Sequence, residues 1–197
     1  MYKRQTDLFR AHGGQLRMSE AIRLGMTRYM LYTLLDRGEI ERVSRGIYRL
    51  VDMPPIGSLD LVTVGLRIPN AVVCLISALS FHELTTQIPH EVSIAVVRGS
   101  RAPRIEHPPV RTYSFARDAH EAGIQVHTLD GVMVRIYSPE KTLADCFKFR
   151  NKIGMDVVRE ALKIYRAGRN TDFDEVVRYA RICRVEKVMR PYLEALV

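Results

Sequence analysis

The chain has few cysteines, and their spacing matches neither a disulfide framework nor a metal site. Its 197 residues include three, Cys74, Cys146 and Cys183, which are odd in number and far apart, and no Cys-x-x-Cys pair occurs. Cys74 and Cys146 lie in apolar runs, so we expect buried free thiols rather than a disulfide framework. This use of cysteine indicates a reducing cytoplasm.

Long hydrophobic runs are also missing. The longest, AVVCLISAL at residues 71–79, is too short to cross a bilayer. The N-terminus is polar and charged and shows no signal peptide. We therefore expect a cytoplasmic protein without a membrane partner.

The common catalytic patterns are absent. The sequence has neither a GxxxxGKS/T nor a GxGxxG phosphate loop, and it has no GxSxG nucleophile turn. His82-Glu83 lacks the second histidine of HExxH, and the six histidines show no metal-ligand spacing. We expect no catalytic residue, no metal and no cofactor.

One dipeptide leaves an enzymatic alternative open. Glu140-Lys141 follows a strand-like run and resembles the acid-x-Lys end of a nuclease site, with Asp130 as an upstream acid. Because Ser138-Pro139 is typical of a helix start, a capping role for Glu140 explains the dipeptide more simply.

Positive charge is in excess, and it is concentrated near the N-terminus. The chain has 30 Lys and Arg against 22 Asp and Glu, a formal net charge of +8. Residues 1–53 hold ten of the basic and six of the acidic residues, so half of the surplus lies in about a quarter of the chain. Such a balance suits a polyanionic partner, and a solvated surface is the alternative.

The first fifty residues alternate helix signals with tight turns. Residues 5–12 suit a short helix that Gly13-Gly14 ends, and in the following stretch MSEAIRLG a second helix begins at the cap Ser19. A third helix follows Thr27 and carries a buried stripe at helical spacing. The stripe consists of Met30, Leu31, Leu34 and Leu35.

After Gly38, two short runs alternate apolar and polar residues as half-buried strands do. Ser44-Arg45-Gly46 connects them as a turn, and Tyr48 falls on the buried side. The order is helix, helix, tight turn, helix and two-stranded ribbon. It predicts a winged helix-turn-helix whose wing tip is this turn.

A helix of this kind fits the major groove, where each base pair shows its own pattern of donors and acceptors. Arg28 can pair with guanine, the tyrosine hydroxyls can reach phosphates, and the wing arginines can hold phosphates or enter a minor groove. Winged helices also bind proteins, which is the competing interpretation. The candidate DNA-binding residues are Thr27, Arg28, Tyr29, Tyr32 and Thr33 on the helix and Arg42, Arg45 and Arg49 on the wing.

The rest of the chain indicates a mixed domain after a short linker. Pro54-Pro55-Ile56-Gly57 breaks helix and strand, so we place the domains at 1–53 and 58–197 with the linker at 54–57. The fold class is α/β (α+β), a winged helix-turn-helix followed by a mixed domain that ends in a helical bundle. AVVCLI at residues 71–76 is predicted as a buried strand, and Asp130-Gly131 marks the clearest hairpin.

Basic residues near this hairpin and the following helix form a possible partner surface for an acidic protein or nucleic acid. They are Arg135, Lys148, Arg150 and Lys152, and a solvated surface explains them as well. We interpret Asp145 and Lys148, one helical turn apart, as an exposed pair.

Three stretches resemble the AbiEi-type antitoxins of bacterial abortive-infection systems. They are GMTRYMLYTLLDRGEIERVSRGIYRL at residues 25–50, VVCLISALSFHELT at 72–85 and YSPEKTLADCFKFRNKIGMDVVREAL at 137–162. The likeness extends over nearly all of residues 5–197. The wing motif is moderately specific, and the later two stretches together are more so.

The resemblance implies a transcriptional regulator that is also a type IV antitoxin. In that family the winged domain represses its own operon by binding promoter repeats in double-stranded DNA. The C-terminal domain counters a nucleotidyltransferase-type toxin encoded next door, without needing a stable complex. Thr27, Arg28, Tyr32 and Arg45 match the DNA-reading parts of the motif. The alternatives are an orphan regulator without a toxin and a C-terminal domain that modifies the toxin enzymatically.

Overall fold

The computed structural model describes residues 3–53, 58–103 and 105–195. The predicted linker, residues 54–57, therefore lies outside the described residues. By packing, the chain divides into residues 1–69 with 127–134 and residues 70–126 with 135–197. The tip of the predicted hairpin thus groups with the N-terminal unit. The predicted domain bounds, 1–53 and 58–197, stay a prediction.

The N-terminal unit is a winged helix-turn-helix followed by one more helix. Its elements are α1 (Lys3–Ala11), β1 (Gln15–Arg17), α2 (Met18–Arg23), α3 (Arg28–Asp36), β2 (Ile40–Ser44), β3 (Ile47–Leu50) and α4 (Leu59–Arg67).

A small apolar core holds the three helices against the wing. Phe9 of α1, Leu31 and Leu34 of α3, and Tyr48 of β3 are almost completely buried in it. Met30 and Leu35 pack at its margin, so the stripe predicted for the third helix faces the core. Removal of this apolar surface from water fixes which side of α3 faces outward.

The wing belongs to a three-stranded antiparallel sheet of order β1-β3-β2. The sequence predicted the two wing strands but missed β1, which pairs Leu16 with Tyr48. The structure also corrects the predicted cap of the second helix, because Arg17 is the N-cap of α2 and no side chain caps it. Ser19 is an exposed residue within the helix.

The remaining elements build a five-stranded mixed sheet with helices. They are β4 (Val72–Val73), α5 (Leu75–Phe81), β5 (Val92–Val97), β6 (Val110–Phe115), α6 (Arg117–Glu121), β7 (Ile124–Leu129), β8 (Val132–Tyr137), α7 (Pro139–Lys148), α8 (Arg150–Ile153), α9 (Met155–Ala167), α10 (Phe173–Ile182) and α11 (Glu186–Glu194). The strand order is β6-β5-β4-β8-β7. The mixed α/β class predicted from the sequence is confirmed.

Two local signals in this region behave as the sequence predicts, and one does not. Asp130 and Gly131 both have positive φ, 47° and 78°, as the tight turn between β7 and β8 requires. Ser138 caps α7 by accepting a hydrogen bond from the Lys141 backbone N–H at 3.2 Å. The strand predicted at 71–76 has only two residues, because α5 begins at Leu75.

Candidate nucleic-acid interface

Capping and turns fix where α3 begins and ends. Thr27 is its N-cap, and the threonine Oγ1 accepts a hydrogen bond from the Met30 backbone N–H at 3.2 Å. Gly25 and Gly38 flank the helix with φ of +94° and +67°, conformations that glycine adopts without strain. These local signals therefore set the length of the helix, while the buried stripe sets which side faces the core.

The outward side of α3 presents an arginine and two tyrosines. Arg28 is exposed, and the exposed fractions of Tyr29 and Tyr32 are 76% and 48%. Residues three or four positions apart share one side of a helix, so these groups lie on one face with Thr33. The Thr33 hydroxyl donates to the Tyr29 carbonyl at 2.8 Å, which leaves its oxygen as an acceptor.

The wing turn carries Arg45 next to Gly46, whose φ of +75° is in the left-handed region. Strands β2 and β3 pair antiparallel with a register shift between Arg42 and Ser44. The side chains of Arg42 and Arg45 are exposed. Two of the three predicted wing arginines thus lie on the surface of the winged helix-turn-helix.

Arg49 does not join them, which corrects the sequence analysis. It is only 5% exposed, and its Nη1 lies 3.2 Å from Oε1 of Glu41, the residue opposite it on β2. The alternation of β3 predicts one solvent-facing side, yet all four strand residues are buried. A buried guanidinium that is paired with a carboxylate is unsuited to holding a phosphate of DNA.

One arginine near the wing was missed by sequence reasoning. Arg67, the last residue of α4, donates a hydrogen bond from Nη2 to the Arg45 carbonyl at the wing tip. The backbone N–H of Met18 donates to the neighbouring Gly46 carbonyl at 2.8 Å. No local pattern marks Arg67 in the sequence, because it stands beyond the wing at the end of a helix that looks merely amphipathic.

The possible partner surface of the second unit is partly engaged in its own structure. Lys148 donates to the Cys183 carbonyl at 3.3 Å, and Arg150 donates to the Phe147 carbonyl at 2.9 Å. Lys152 is exposed, with Nζ 5.7 Å from the centre of the Phe149 ring. Arg135 lies on β8 and is half-buried. A partner surface built on these cations stays a prediction.

The residues of the nuclease alternative have structural roles. Lys141 and Asp145 are both completely buried, with Lys141 Nζ 2.6 and 2.5 Å from the two carboxylate oxygens. Glu140 accepts a hydrogen bond from the Tyr165 hydroxyl at 2.9 Å. The predicted exposed pair of Asp145 and Lys148 is therefore wrong, because Asp145 pairs with Lys141 inside the core.

Burial controls the ionisation of this cluster. It raises the pKa of the Asp145 carboxyl, while the Lys141 ammonium opposes that rise. Burial and the nearby Asp145 together raise the pKa of Cys183 to about 12. Cys74 and Cys146 are buried with raised thiol pKa values too, so the expectation of buried thiols is confirmed.

Within residues 3–53, 58–103 and 105–195, no cluster of histidine, cysteine and acidic residues could hold a metal ion. The helices of these same residues include none with the length and apolar character needed to cross a bilayer.

Comparisons with known proteins support a regulator class. The model of the family described as "Transcriptional regulator, AbiEi antitoxin" matches residues 3–51, which span the winged helix-turn-helix. The resemblance noted in the sequence is confirmed for this segment, about a quarter of the chain. The wider resemblance beyond residue 51 stays a prediction.

The fold has a solved counterpart. The chain is similar to the crystal structure of the RV2827C protein from Mycobacterium tuberculosis, with a TM-score of 0.60 over 89% of this chain and 69% of that one. The two sequences are 13% identical, so this likeness concerns the fold alone. No curated protein matches the chain in sequence. The family match to a transcriptional regulator and antitoxin is therefore the finding that bears on function.

Proposed function

We propose that this protein binds operator repeats in its own promoter through the winged helix-turn-helix and represses transcription there. The observation that carries the proposal is the outward face of α3, where Arg28, Tyr29 and Tyr32 lie together. The exposed wing arginines, Arg42 and Arg45, belong to the same unit. The family matched by this segment is one of transcriptional regulators, which supports the same conclusion.

Helix α3 has the groups needed to read base edges. The Arg28 guanidinium can donate two parallel hydrogen bonds to O6 and N7 of guanine in the major groove. Tyr29 and Tyr32 can donate their hydroxyl protons to phosphates on either side of the groove. The Thr27 hydroxyl oxygen already accepts the capping bond, so we assign its methyl group to contact with a thymine methyl.

The wing supplies contacts that position the protein. Arg42 and Arg45 carry fixed charges that suit the phosphate backbone or a narrow minor groove. If these two cations and three or four others meet phosphates, the logarithm of the binding constant should fall with the logarithm of salt concentration at a slope of roughly −5.

Binding to duplex DNA tests this half of the proposal. The intact protein, Arg28→Ala/Tyr32→Ala and Arg45→Ala are titrated with the DNA upstream of the gene and with a scrambled duplex of equal length. The α3 variant should lose about 1–3 kcal/mol of preference for the upstream DNA, because base contacts carry sequence information. Arg45→Ala should weaken both duplexes alike if it holds a phosphate. Equal affinity of the intact protein for both duplexes would contradict specific regulation.

We extend the proposal to antitoxin activity against a nucleotidyltransferase-type toxin encoded beside this gene. The support is the antitoxin description of the matched family and the further stretches at 72–85 and 137–162 that resemble it. Expression of the neighbouring toxin should arrest growth, and co-expression of this chain should restore it. Restoration by the α3 variant as well would assign neutralisation to residues outside the DNA-binding face. Absence of such a gene, with operator binding intact, would favour the orphan regulator.

A further inference from the structure

Four arginines from four different elements line one cleft of the N-terminal unit. They are Arg17 at the end of β1, Arg28 at the start of α3, Arg45 in the wing turn and Arg67 at the end of α4. The cleft has a volume of about 430 Å³, and the other residues that line it are Met18, Ser19, Ile22, Gly46 and Ile47. Among the described residues, none that lines the cleft is acidic.

The positive charge of Arg67 acts on Arg17 electrostatically. Partial burial lowers the pKa of Arg17, and the neighbouring Arg67 lowers it further, while Glu20 opposes both effects. Glu20 stands outside the lining and is itself paired with Arg23, 3.5 Å away. Since guanidinium groups stay charged in proteins, like charges held in a concave site attract an anion strongly.

Two of these side chains are oriented by hydrogen bonds that leave most of their donors available. Arg17 Nη2 lies 3.5 Å from the Gly65 carbonyl, and Arg67 Nη2 donates to the Arg45 carbonyl. A guanidinium has five N–H donors, so each can also bind a phosphate oxygen in a forked geometry.

We propose that this cleft binds a phosphate group of the duplex backbone, with Arg17 and Arg67 as its main ligands. This inference rests on the proposed function and extends the DNA contact to α4, beyond the residues 3–51 that the regulator family covers. The phosphate lies between the base-reading helix and the wing tip, because Arg28 and Arg45 line the same cleft. Arg67 has two roles, since it also fixes the wing tip through the Arg45 carbonyl.

The test uses the full chain with the upstream duplex and the scrambled duplex, each measured from 50 to 300 mM salt. The variants are Arg17→Gln, Arg67→Gln, the double Gln variant and the double variant Arg17→Lys/Arg67→Lys. Arg10→Gln is the matched control, because it removes one exposed positive charge from α1, away from the cleft. Thermal unfolding of each variant is followed by circular dichroism.

Each single Gln variant should weaken binding about fivefold at 0.15 M salt, by the same factor for both duplexes, and reduce the salt slope by about 0.9. The double Gln variant should reduce the slope by about twice that amount. The double Lys variant should have the slope of the intact protein, because it retains both positive charges. Arg10→Gln should change neither quantity beyond the effect of net charge.

Three results would overturn the inference. In the first, the Gln variants have the same affinity and salt slope as Arg10→Gln, while the intact protein still prefers the upstream duplex. The phosphate site is then wrong, and the proposed function stands. In the second, the double Lys variant binds as weakly as the double Gln variant, although its unfolding temperature is unchanged. The two guanidinium groups would then only maintain the conformation of the wing and would not bind phosphate. Failure of the intact protein to bind either duplex removes the proposed function together with this site.

Discussion

Lys141 and Asp145 form an ion pair in which neither side chain is exposed to solvent. The ammonium contacts both carboxylate oxygens, the Cys183 thiol donates to Asp145 Oδ1 at 3.2 Å, and the Tyr137 ring centre lies 4.1 Å from Lys141 Nζ. The pair is separated by one helical turn of α7, and an aromatic ring and a thiol take the place of solvent. Neither charge can be removed without leaving the other in an apolar core.

Loss of one partner should therefore destabilise the protein strongly. Lys141→Met should lower the free energy of unfolding by about 3–5 kcal/mol, because the Asp145 carboxylate is then buried without its counter-charge. The double variant Lys141→Met/Asp145→Leu should lose clearly less than the sum of the two single variants. Urea unfolding followed by circular dichroism measures all three. A cost below about 1 kcal/mol for Lys141→Met would contradict the buried pair.

The three cysteines should be inert in the folded protein. All are buried, and burial raises their thiol pKa values, that of Cys183 to about 12, so almost no thiolate forms at pH 8. A thiol reagent such as dithionitrobenzoate should react with none of them in buffer and with three per chain in concentrated urea. Rapid labelling of even one thiol under native conditions would show that its surroundings are open.

Gly131 should tolerate no side chain. Its φ is +78°, and a Cβ there would lie 2.5 Å from the Gly13 Cα, where two backbones of the same unit meet. Gly131→Ala should cost about 2–4 kcal/mol through left-handed strain and overpacking together. Gly38→Ala is the control, because φ is +67° and nothing lies within 4 Å. Gly38→Ala should cost about 1 kcal/mol. If urea unfolding gave the same loss of stability for both variants, the close approach of Gly131 to Gly13 would be disproved.

Two wing arginines should separate stability from DNA binding. Arg49→Ala should lower the free energy of unfolding by about 1–3 kcal/mol, because it removes a buried hydrogen-bonded group. Arg42→Ala should leave stability within about 0.5 kcal/mol, since the side chain is exposed, and should weaken binding to any duplex. Parallel measurements of unfolding and DNA affinity check both. If Arg49→Ala weakened DNA binding without loss of stability, and Arg42→Ala did the opposite, then Arg49 and not Arg42 would belong to the proposed interface.

The winged helix-turn-helix was predictable because its signals are local. Leu31 and Leu34 repeat at helical spacing, Thr27 caps the helix, and Gly46 permits the wing turn. Strand β1 escaped prediction because Gln15–Arg17 has only three residues, and three residues form a strand only when a partner such as β3 is present. Its existence depends on tertiary structure.

The candidate site was predictable only where its signals are local, and the residues that tertiary contacts place were missed or wrongly assigned. The alternation of β3 puts Arg49 and Tyr48 on different faces of the strand and predicts that the Arg49 face is exposed. Both faces are buried in the structure, and no short-range sequence pattern indicates the burial of the Arg49 face. Arg67 joins the wing tip from 22 residues away along the chain. Asp145 was misread because Lys141 and Lys148 both lie within reach on one helix, and only the packing around α7 selects Lys141.

The position of β3 as the middle strand has a consequence for the proposed binding of DNA. Because β1 and β2 hydrogen-bond to its two edges, both wing strands are paired within the sheet. The carbonyls of Arg45 and Gly46 at the tip also accept hydrogen bonds, from Arg67 and Met18. Little conformational entropy is lost when such a prearranged hairpin meets a duplex. If the protein binds DNA as proposed, affinity should depend on matching charge and shape more than on ordering of the chain.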